Sequence, residues 1–513
     1  MCVSGLFLFN YFLLLKISRK FRWLVSFRSS LKINYATMLC IYKNNYKFIK
    51  MGNKISGKDL IKIGFPKTNA INIALGQISR YRKKEKKESI LNEAKEVLLY
   101  PEKFTGHGTW GKLAEGLTKP VEVRLHQLKN NRAPFSIFGE NEIDEQTKFQ
   151  MYEALKLPIT VSGALMPDAH YGYGLPIGGV LATENAVIPY GVGVDIGCRM
   201  SLSVFDLPAS FLKGRDHQLQ AILKDNTKFG MNETHAIKND HEVFYKSEFN
   251  DIPILKNLLD KAYKQLGTSG GGNHFVEFGI VELTEVLPEW KLPPGTYLSI
   301  LSHSGSRGLG ANIAKHYTNL ATKQCPLPKN VQHLAWLDLS THDGQEYWLA
   351  MNLAGEYAKA CHDDIHKRIA KAIGKRIVFT IENHHNFAWK EMVKGQECVV
   401  HRKGATPAQK GQIGIIPGSM VSPGFIVKGK GNIESLQSAS HGAGRQFSRT
   451  KCKEKFKPSE VKKVLEAHDV QLIGGNIDEA PMAYKNIHTV MALQTELVDV
   501  MGTFTPKIVR MDR

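Results

Sequence analysis

The chain has 513 residues, of which 42% are hydrophobic and 23% charged. That is the composition of an ordinary soluble globular protein, and the chain is long enough for two or three domains. A net charge of +20 with a pI near 9.4 favours polyanionic partners such as RNA, DNA or nucleotides. Seven cysteines are too sparse for a disulfide framework, which excludes a disulfide-rich secreted scaffold and predicts a reducing, cytoplasmic setting.

Residues 1–50 differ in composition from the rest of the chain. They contain six Lys and three Arg but no Asp or Glu, and removing these nine charges from the total of +20 leaves +11. The apolar run Val3–Leu15 is shorter than the ~20 residues that a membrane-spanning helix needs, so no membrane anchor is expected. It also lacks a basic start and a cleavage site. We favour an over-extended reading frame with its true start at Met51, and an organellar leader is the alternative.

Residues 51–155 are predicted to form a separate N-terminal region, and 156–513 the catalytic domain. A basic run from Arg80 to Lys87 precedes the stretch Ser89–Leu99, whose apolar residues recur at helical spacing. The default interpretation of the basic run is a solvated helix face, and an RNA-facing patch is the alternative. From about Leu157 the chain changes to short strand-like runs that end in glycine-rich polar turns.

Reactive side chains follow several of these predicted strands and turns. Asp195 and Cys198 lie in or next to the glycine-rich stretch 191–197, and His274 follows the glycines of 267–272. His303 follows the predicted strand Tyr297–Leu301, and His384-His385 follows the predicted strand Arg376–Ile381. Strand ends at one edge of a sheet can converge on one site. We therefore expect an α+β enzyme with its active site at strand ends.

The residue types in this set are those of a metal centre. One carboxylate, one thiolate and three imidazoles would suffice for two metal ions if the thiolate bridged them, and two ions can clamp a transferring phosphoryl group. Ligand softness alone favours zinc. Each residue taken singly is more often a buried hydrophobe or a satisfied polar group than a ligand.

Two other candidate sites are rejected. His362 and His366 stand four residues apart on a helix predicted from about Gly355 to Ile373, with Gly374 as its stop. Their basic neighbours indicate a solvated helix face rather than a metal site. The stretch Gly424–Lys430 has the glycine and lysine spacing of a phosphate-binding loop, but glycine replaces the required hydroxyl residue after it.

The stretch Ser440–Arg445 places a histidine, His441, among small residues with an arginine four positions later. Small neighbours let a large anionic ligand approach the backbone, and an arginine can hold a phosphate through two hydrogen bonds. His441 is therefore a candidate nucleophile toward phosphorus.

Seven sequence blocks together resemble the RtcB family of RNA ligases. They occur in the family's order, and all but the dipeptide at 385–386 are long and rich in unusual dipeptides: MPDAHYGYGLPIGGV at 166–180, GVDIGCRM at 193–200, GGNHFVE at 271–277, HSGSRGLG at 303–310, HN at 385–386, GIIPGSM at 414–420 and SHGAGR at 440–445. The resemblance implies the family's compact, β-rich core wrapped by helices.

The resemblance also implies a reaction and its cofactors. These ligases use manganese and GTP to join an RNA 3′-phosphate or 2′,3′-cyclic phosphate end to a 5′-hydroxyl end, in tRNA splicing or RNA repair. His441 would carry the covalent GMP. Two manganese ions, rather than zinc, would be held by Asp195, Cys198, His274, His303 and His385. An archease-like activator is a possible partner that the resemblance brings with it.

The remaining site residues are also implied by the resemblance alone. Nucleotide contacts would come from Asn273, Phe275, Glu277, Ser419 and Gly444, with Glu277 on the guanine edge. RNA or substrate phosphates would be held by Arg307, Arg445 and Arg449.

Two departures from the family pattern surround the expected nucleotide site. The family's Gly-Thr-x-Ser-Tyr segment is replaced by Val421–Phe425, and the usual C-terminal Lys-Gly is absent from the final stretch 507–513. GTP is therefore less firmly implied than the metals. Two alternatives stay open: a nucleotidyltransferase that caps 3′-phosphate ends without efficient joining, and a non-catalytic metal- and RNA-binding protein.

Overall fold

A computed structural model describes residues 55–82, 85–118, 126–236 and 239–512. The chain divides into two compact units, residues 1–120 and 121–513. The basic N-terminal extension, residues 1–50, lies outside the described residues, and so does its interpretation as an over-extended reading frame or a leader. Within the described ranges, no helix is both long and apolar enough to cross a membrane.

The first unit is helical over its described residues. Its helices are α1 (Gly57–Lys62), α2 (Ala70–Tyr81), α3 (Lys87–Leu99) and α4 (Gly111–Thr118). The helix predicted over Ser89–Leu99 is confirmed, since Ile90, Ala94 and Val97 recur on one face of α3 and are buried. They join a small core of their own that includes Trp110. Lys83 and Lys84 of the basic run lie outside the described residues.

The second unit contains two larger sheets and the helices around them. Its N-terminal half has, in chain order, β1 (Phe135–Ile137), α5 (Glu145–Ala154), β2 (Thr160–His170), β3 (Ile177–Thr183), β4 (Ala186–Val187), α6 (Pro189–Val192), β5 (Arg199–Pro208), α7 (Asp216–Asn226), α8 (Glu248–Asp251), α9 (Pro253–Gln265), β6 (Phe275–Leu283), β7 (Gly295–Ser304) and α10 (Arg307–Gln324). The C-terminal half follows with β8 (Leu337–Asp338), α11 (His342–Ile373), β9 (Ile377–His384), β10 (Asn386–Val393), β11 (Gln396–Lys403), β12 (Ala405–Pro407), β13 (Ile413–Ile416), β14 (Gly424–Gly429), β15 (Ser438–Ser440), α12 (Arg449–Lys455), α13 (Pro458–Ala467), β16 (Gln471–Ile473), α14 (Ile487–Ala492) and β17 (Val498–Met511).

The larger sheet has eight strands in the order β13-β14-β17-β6-β7-β5-β9, with β16 beside β17. All of its pairs are antiparallel except β16–β17. The second sheet has the order β1-β2-β3-β11-β10 and is antiparallel except for β1–β2. Together with the helices, these sheets confirm the predicted α+β class. Because β1 pairs with β2, the predicted boundary at residue 155 falls inside this unit.

Helix α11 is longer than the sequence predicts. Its predicted end is confirmed, because Gly374 closes it in the left-handed region with φ of 72°. Its predicted start near Gly355 is wrong, since the helix begins at His342, where the Thr341 hydroxyl accepts a hydrogen bond from the Gly344 amide. Gly355 is instead a packing residue: a Cβ added there would lie 2.8 Å from the Phe387 ring.

Candidate active site

Antiparallel pairing brings four strand ends to one edge of the larger sheet. Strands β5 and β6 begin at this edge, directly after Cys198 and His274. Strands β7 and β9 run the opposite way and end there, so that His303 pairs in register with both Met200 and Phe275. His385 follows the last residue of β9. Residues more than 100 positions apart in the sequence therefore meet at one edge.

The donor atoms of the five candidate metal ligands form a continuous chain of close contacts. The Cys198 sulfur is 3.5 Å from Nε2 of His274 and 3.1 Å from Nε2 of His303. Nε2 of His274 lies 2.9 Å from a carboxylate oxygen of Asp195. Nε2 of His303 lies 3.1 Å from Nε2 of His385. The structure thus brings together the five residues that the resemblance implied. Of the histidine pair that spacing left open, His385 lies in the cluster, whereas Nδ1 of His384 lies 2.7 Å from the Arg199 guanidinium.

The electrostatics of this cluster favour lone pairs over protons. Burial lowers the pKa of His303 to about 3 and holds the pKa of His385 well below its usual value, so both rings are neutral at physiological pH. Burial alone would raise the pKa of Asp195, but the hydrogen bond from His274 and its charge hold that pKa below the ordinary value. Burial raises the pKa of Cys198 well above that of a free thiol, so the thiolate forms there only with a cation to stabilise it.

The geometry and burial of the cluster suit a metal ion. Ligand atoms of Cys198, His274 and His303 lie within 4.8 Å of one another, and all three side chains are buried. Nδ1 of His385 is buried and has no hydrogen-bond partner. Nδ1 of His303 lies 2.9 Å from the Asn273 carbonyl oxygen, which leaves Nε2 with its lone pair directed into the cluster.

His441 lies beside the cluster, held by a carboxylate that the sequence analysis gave no role. Its Nδ1 donates to the Asp168 carboxylate over 2.6 Å, and the same oxygen accepts from the backbone amides of His441 and Gly442. Asp168 is fully buried in β2. Burial alone would raise its pKa, but the charge and hydrogen bond of His441 hold it below the ordinary value. Asp168 engages Nδ1, so Nε2 of His441 is the nitrogen left for another partner, and the ring centroid lies 5.1 Å from that of His385.

A cavity of about 310 Å³ opens beside His441 and extends toward β6 and β17. Its lining includes His303, His385 and His441 together with all five predicted nucleotide contacts: Asn273, Phe275, Glu277, Ser419 and Gly444. Glu277 is buried, and burial raises its pKa well above the ordinary carboxyl value. The left-handed Gly444 cannot be replaced without strain, because a Cβ there would lie 2.0 Å from the Asp168 carbonyl oxygen.

The three predicted phosphate-binding arginines have different surroundings. Arg445 and Arg449 line the cavity, and each forms an ion pair of 2.9 Å with the buried carboxylate of Glu479. Arg307 does not line it: its guanidinium donates to the Thr268 hydroxyl and the Gly230 carbonyl, behind His274. Sequence reasoning missed Glu479, because its sequence neighbours are not basic and its pairing with Arg445 and Arg449 appears only in the structure.

Comparisons with known proteins agree with this arrangement. Residues 150–512 match the family described as tRNA-splicing ligase RtcB. The chain is 33% identical to RNA-splicing ligase RtcB of Escherichia coli strain K12 over 408 residues, which cover 73% of this chain and 97% of that protein.

The chain belongs to the RtcB family.

More distant RtcB relatives come from archaea and eukaryotes. The tRNA-splicing ligase RtcB of Nanoarchaeum equitans is 30% identical, over 71% of this chain and 92% of its own. RNA-splicing ligase RtcB homolog 1 of Entamoeba dispar is 28% identical, over 73% of this chain and 86% of its own. The recognition made from the sequence blocks is thus confirmed.

The two departures from the RtcB pattern both border the cavity. In the replaced segment, Ser422 lines the cavity and its hydroxyl lies 2.9 Å from that of Ser419. At the end of β17, Pro506, Val509 and Met511 line the cavity. The side chains that the end of β17 contributes to the cavity are therefore apolar.

The interpretation of His362 and His366 as a solvated face was wrong. Both are buried, because α11 packs against the sheet on this side, and burial lowers the pKa of His366 to about 3 and that of His362 well below its usual value. The Ser302 hydroxyl lies 2.6 Å from Nδ1 of His362 and 2.7 Å from Nε2 of His366. The pair is a structural support behind His303, the neighbour of Ser302 on β7.

Proposed function

We propose that this protein is an RNA ligase that joins RNA 3′-phosphate or 2′,3′-cyclic phosphate ends to 5′-hydroxyl ends, with GTP and manganese. The observation that carries the proposal is His441, whose Nδ1 is held by Asp168 while its ring meets both the metal-donor cluster and the nucleotide cavity. Family membership supports RNA-end joining, since relatives from bacteria and archaea are named RNA-splicing or tRNA-splicing ligases.

The donor atoms fall into two groups that share Cys198. Asp195 and His274 lie on one side of its sulfur, and His303 and His385 on the other. We propose that each group holds one manganese ion. When bound, the two ions would neutralise charge on the reacting phosphates. Donor softness alone favours zinc, so manganese rests on the family resemblance.

His441 acts as the nucleophile in this proposal. Its Nε2 forms a bond to the α-phosphorus of GTP, and pyrophosphate leaves. An oxygen of the RNA 3′-phosphate then bonds to the phosphorus of GMP, and Nε2 leaves with its electron pair. Finally the 5′-hydroxyl oxygen bonds to the 3′-phosphorus, releasing GMP and a proton. Asp168 orients the ring and stabilises the charge that it gains, because its buried carboxylate faces Nδ1 throughout.

The cavity supplies the nucleotide contacts. Asn273 and Ser419 would hold phosphates, Phe275 would pack against the nucleoside, and Glu277 would face the guanine edge. Gly444 lets the nucleotide approach the backbone beside His441. Arg445 and Arg449 would bind substrate phosphate.

A direct test uses residues 51–513 with manganese, GTP labelled at the α-phosphate, and an RNA pair bearing a 3′-phosphate and a 5′-hydroxyl. We expect labelled protein, capped RNA and joined RNA to appear in that order, and all three to be lost in His441→Ala. Capped RNA without joining would support the end-capping alternative. No label in any species with either GTP or ATP would overturn the proposal.

Metal content gives a test that does not depend on activity. We expect about two manganese ions per chain after dialysis against the metal, and a loss in Cys198→Ala larger than in Cys361→Ala, a buried cysteine outside the cluster. Elemental analysis measures both. Equal metal content in the two variants would contradict the assignment of Cys198 as the shared ligand.

A further inference from the structure

Lys403 is a buried lysine near the active site that the proposed reaction does not use. It ends β11 and is only 8% exposed, and burial lowers its pKa to about 7. Its ammonium donates to the backbone carbonyl of Tyr173. Among the described residues it makes no ion pair with a carboxylate, and no acidic group contributes to its pKa. A buried cation without a counter-ion is unfavourable, and an arriving anion would relieve that cost.

The Tyr190 ring lies beside this ammonium, and the rings of His333 and Tyr173 continue outward from it. It lies 5.1 Å from the centroid of the Tyr190 ring, which stacks on His333 at 5.2 Å. Tyr173 is 68% exposed, and its ring centroid lies 6.5 Å from that of His333. Exposed rings beside a cation are the usual means of binding single-stranded nucleic acid, because bases stack on the rings and phosphates meet the charge.

Lys403 lies close to His441, from which GMP would pass to the RNA 3′-phosphate in the proposed reaction. The next residue, Gly404, abuts the nucleophile: a Cβ added there would lie 3.3 Å from Cε1 of His441. On the other side, a Cβ added to Gly193 would lie 3.8 Å from Cε of Lys403, and Gly193 is two residues from Asp195. Lys403, Tyr173 and Tyr190 do not line the nucleotide cavity, so the cluster is separate from the proposed nucleotide site.

We propose that Lys403, Tyr173 and Tyr190 bind the RNA strand that ends in the 3′-phosphate, with a terminal base against Tyr173 and a phosphate at Lys403. This inference rests on the proposed function. It selects the 3′-phosphate strand because that phosphate must reach GMP on His441, the residue that Gly404 abuts. The cluster positions the strand and forms no bond to it.

The test measures single-turnover capping of a short RNA 3′-phosphate by enzyme already carrying labelled GMP, as a function of RNA concentration. For Tyr173→Ala we expect the RNA concentration at half-maximal rate to rise about tenfold, with Tyr173→Phe within about twofold of the parent. Lys403→Met should show a similar rise in that RNA concentration and a weaker dependence of it on salt. Lys403→Arg keeps the charge and should match the parent in both measurements. The matched control is Tyr245→Ala, another exposed tyrosine, which lies outside the cluster.

The outcomes separate this inference from the proposed function. If the parent enzyme forms neither the GMP adduct nor capped RNA, the proposed function fails. If the parent caps RNA and Tyr173→Ala does so at the same RNA concentrations, the subsite fails. The subsite would also fail if the variants were impaired only in their use of the 5′-hydroxyl strand during joining. It would fail equally if they formed the GMP adduct more slowly in the absence of RNA, by the same factor as they lose capping. Tyr173 is exposed, so its replacement should not disturb folding. The test can therefore be made with Tyr173→Ala even if Lys403→Met does not fold.

Discussion

At the scale of single residues, spacing and residue type predicted which side chains meet at one edge of the sheet, except for the choice between His384 and His385, and the fold explains why. Asp195, Cys198, His274, His303 and His385 each lie within a few residues of a strand end or a glycine turn, which is visible in a sequence. The role of Asp168 was not predicted. It lies inside β2 rather than at its end, and its partner His441 is 273 positions away. A buried carboxylate in a strand carries no local signal of its partner.

The contact between Asp168 and His441 leads to a kinetic prediction. Asp168→Asn keeps the size of the side chain but removes the charge that fixes the Nδ1 proton. We expect the rate of GMP-adduct formation to fall by about 10²–10⁴-fold, by analogy with buried aspartates behind catalytic histidines, while manganese content stays that of the parent. Rapid-quench measurement with labelled GTP gives the rate.

The control for this variant is Asp206→Asn, an exposed acid on β5. A rate within about threefold of the parent in both variants would show that Asp168 is not needed to orient His441.

At the scale of elements, helix α11 shows what sequence patterns miss. The glycine at 355 resembled a helix start, yet it sits in mid-helix because Phe387 and the Gly197 turn approach it closely. The charged neighbours of His362 and His366 suggested solvent, but the two rings face the sheet and the charges face away. Helical periodicity fixed the face of α3 because one side of that helix is polar, whereas α11 is buried on several sides.

The same helix gives a prediction about stability. Nε2 of His362 donates to the Ser304 carbonyl, so Nδ1 must accept from the Ser302 hydroxyl, which in turn accepts from Nε2 of His366. Ser302→Ala leaves two buried ring nitrogens without partners. We expect a loss of about 2–4 kcal/mol in the free energy of unfolding, measured by urea denaturation.

Ser299→Ala is the matched control on the same strand. The Ser299 hydroxyl donates to the Gly279 carbonyl, and its removal orphans no ring nitrogen. We expect a loss of about 1 kcal/mol there. Equal losses for the two variants would mean that the histidine pair does not depend on Ser302.

At the scale of the whole molecule, all the candidate site residues lie in the second unit. The family match begins at residue 150, and the first unit has a hydrophobic core of its own. The change to strand-like runs near Leu157 suggested a boundary at 155, whereas the units divide between residues 120 and 121. The short strand β1, only three residues long, carries little sequence signal and pairs with β2.

This division predicts the outcome of a truncation. A chain that begins at residue 121 should fold, bind about two manganese ions and join RNA ends with a rate constant within about threefold of the 51–513 chain. Circular dichroism, metal analysis and the joining assay measure these properties. If the shortened chain folds and binds metal but joins no RNA, the first unit takes part in the reaction itself.

The central claim is that GMP on His441 lies on the path to joined RNA, and a chase of the isolated adduct tests it most directly. Protein carrying labelled GMP would be freed of GTP and mixed with manganese and the two RNA strands. We predict that the label passes from a peptide containing His441 to the RNA 3′ end, and then to free GMP as joined RNA appears in equal amount. Joined RNA that forms while the label remains on the protein would contradict the account.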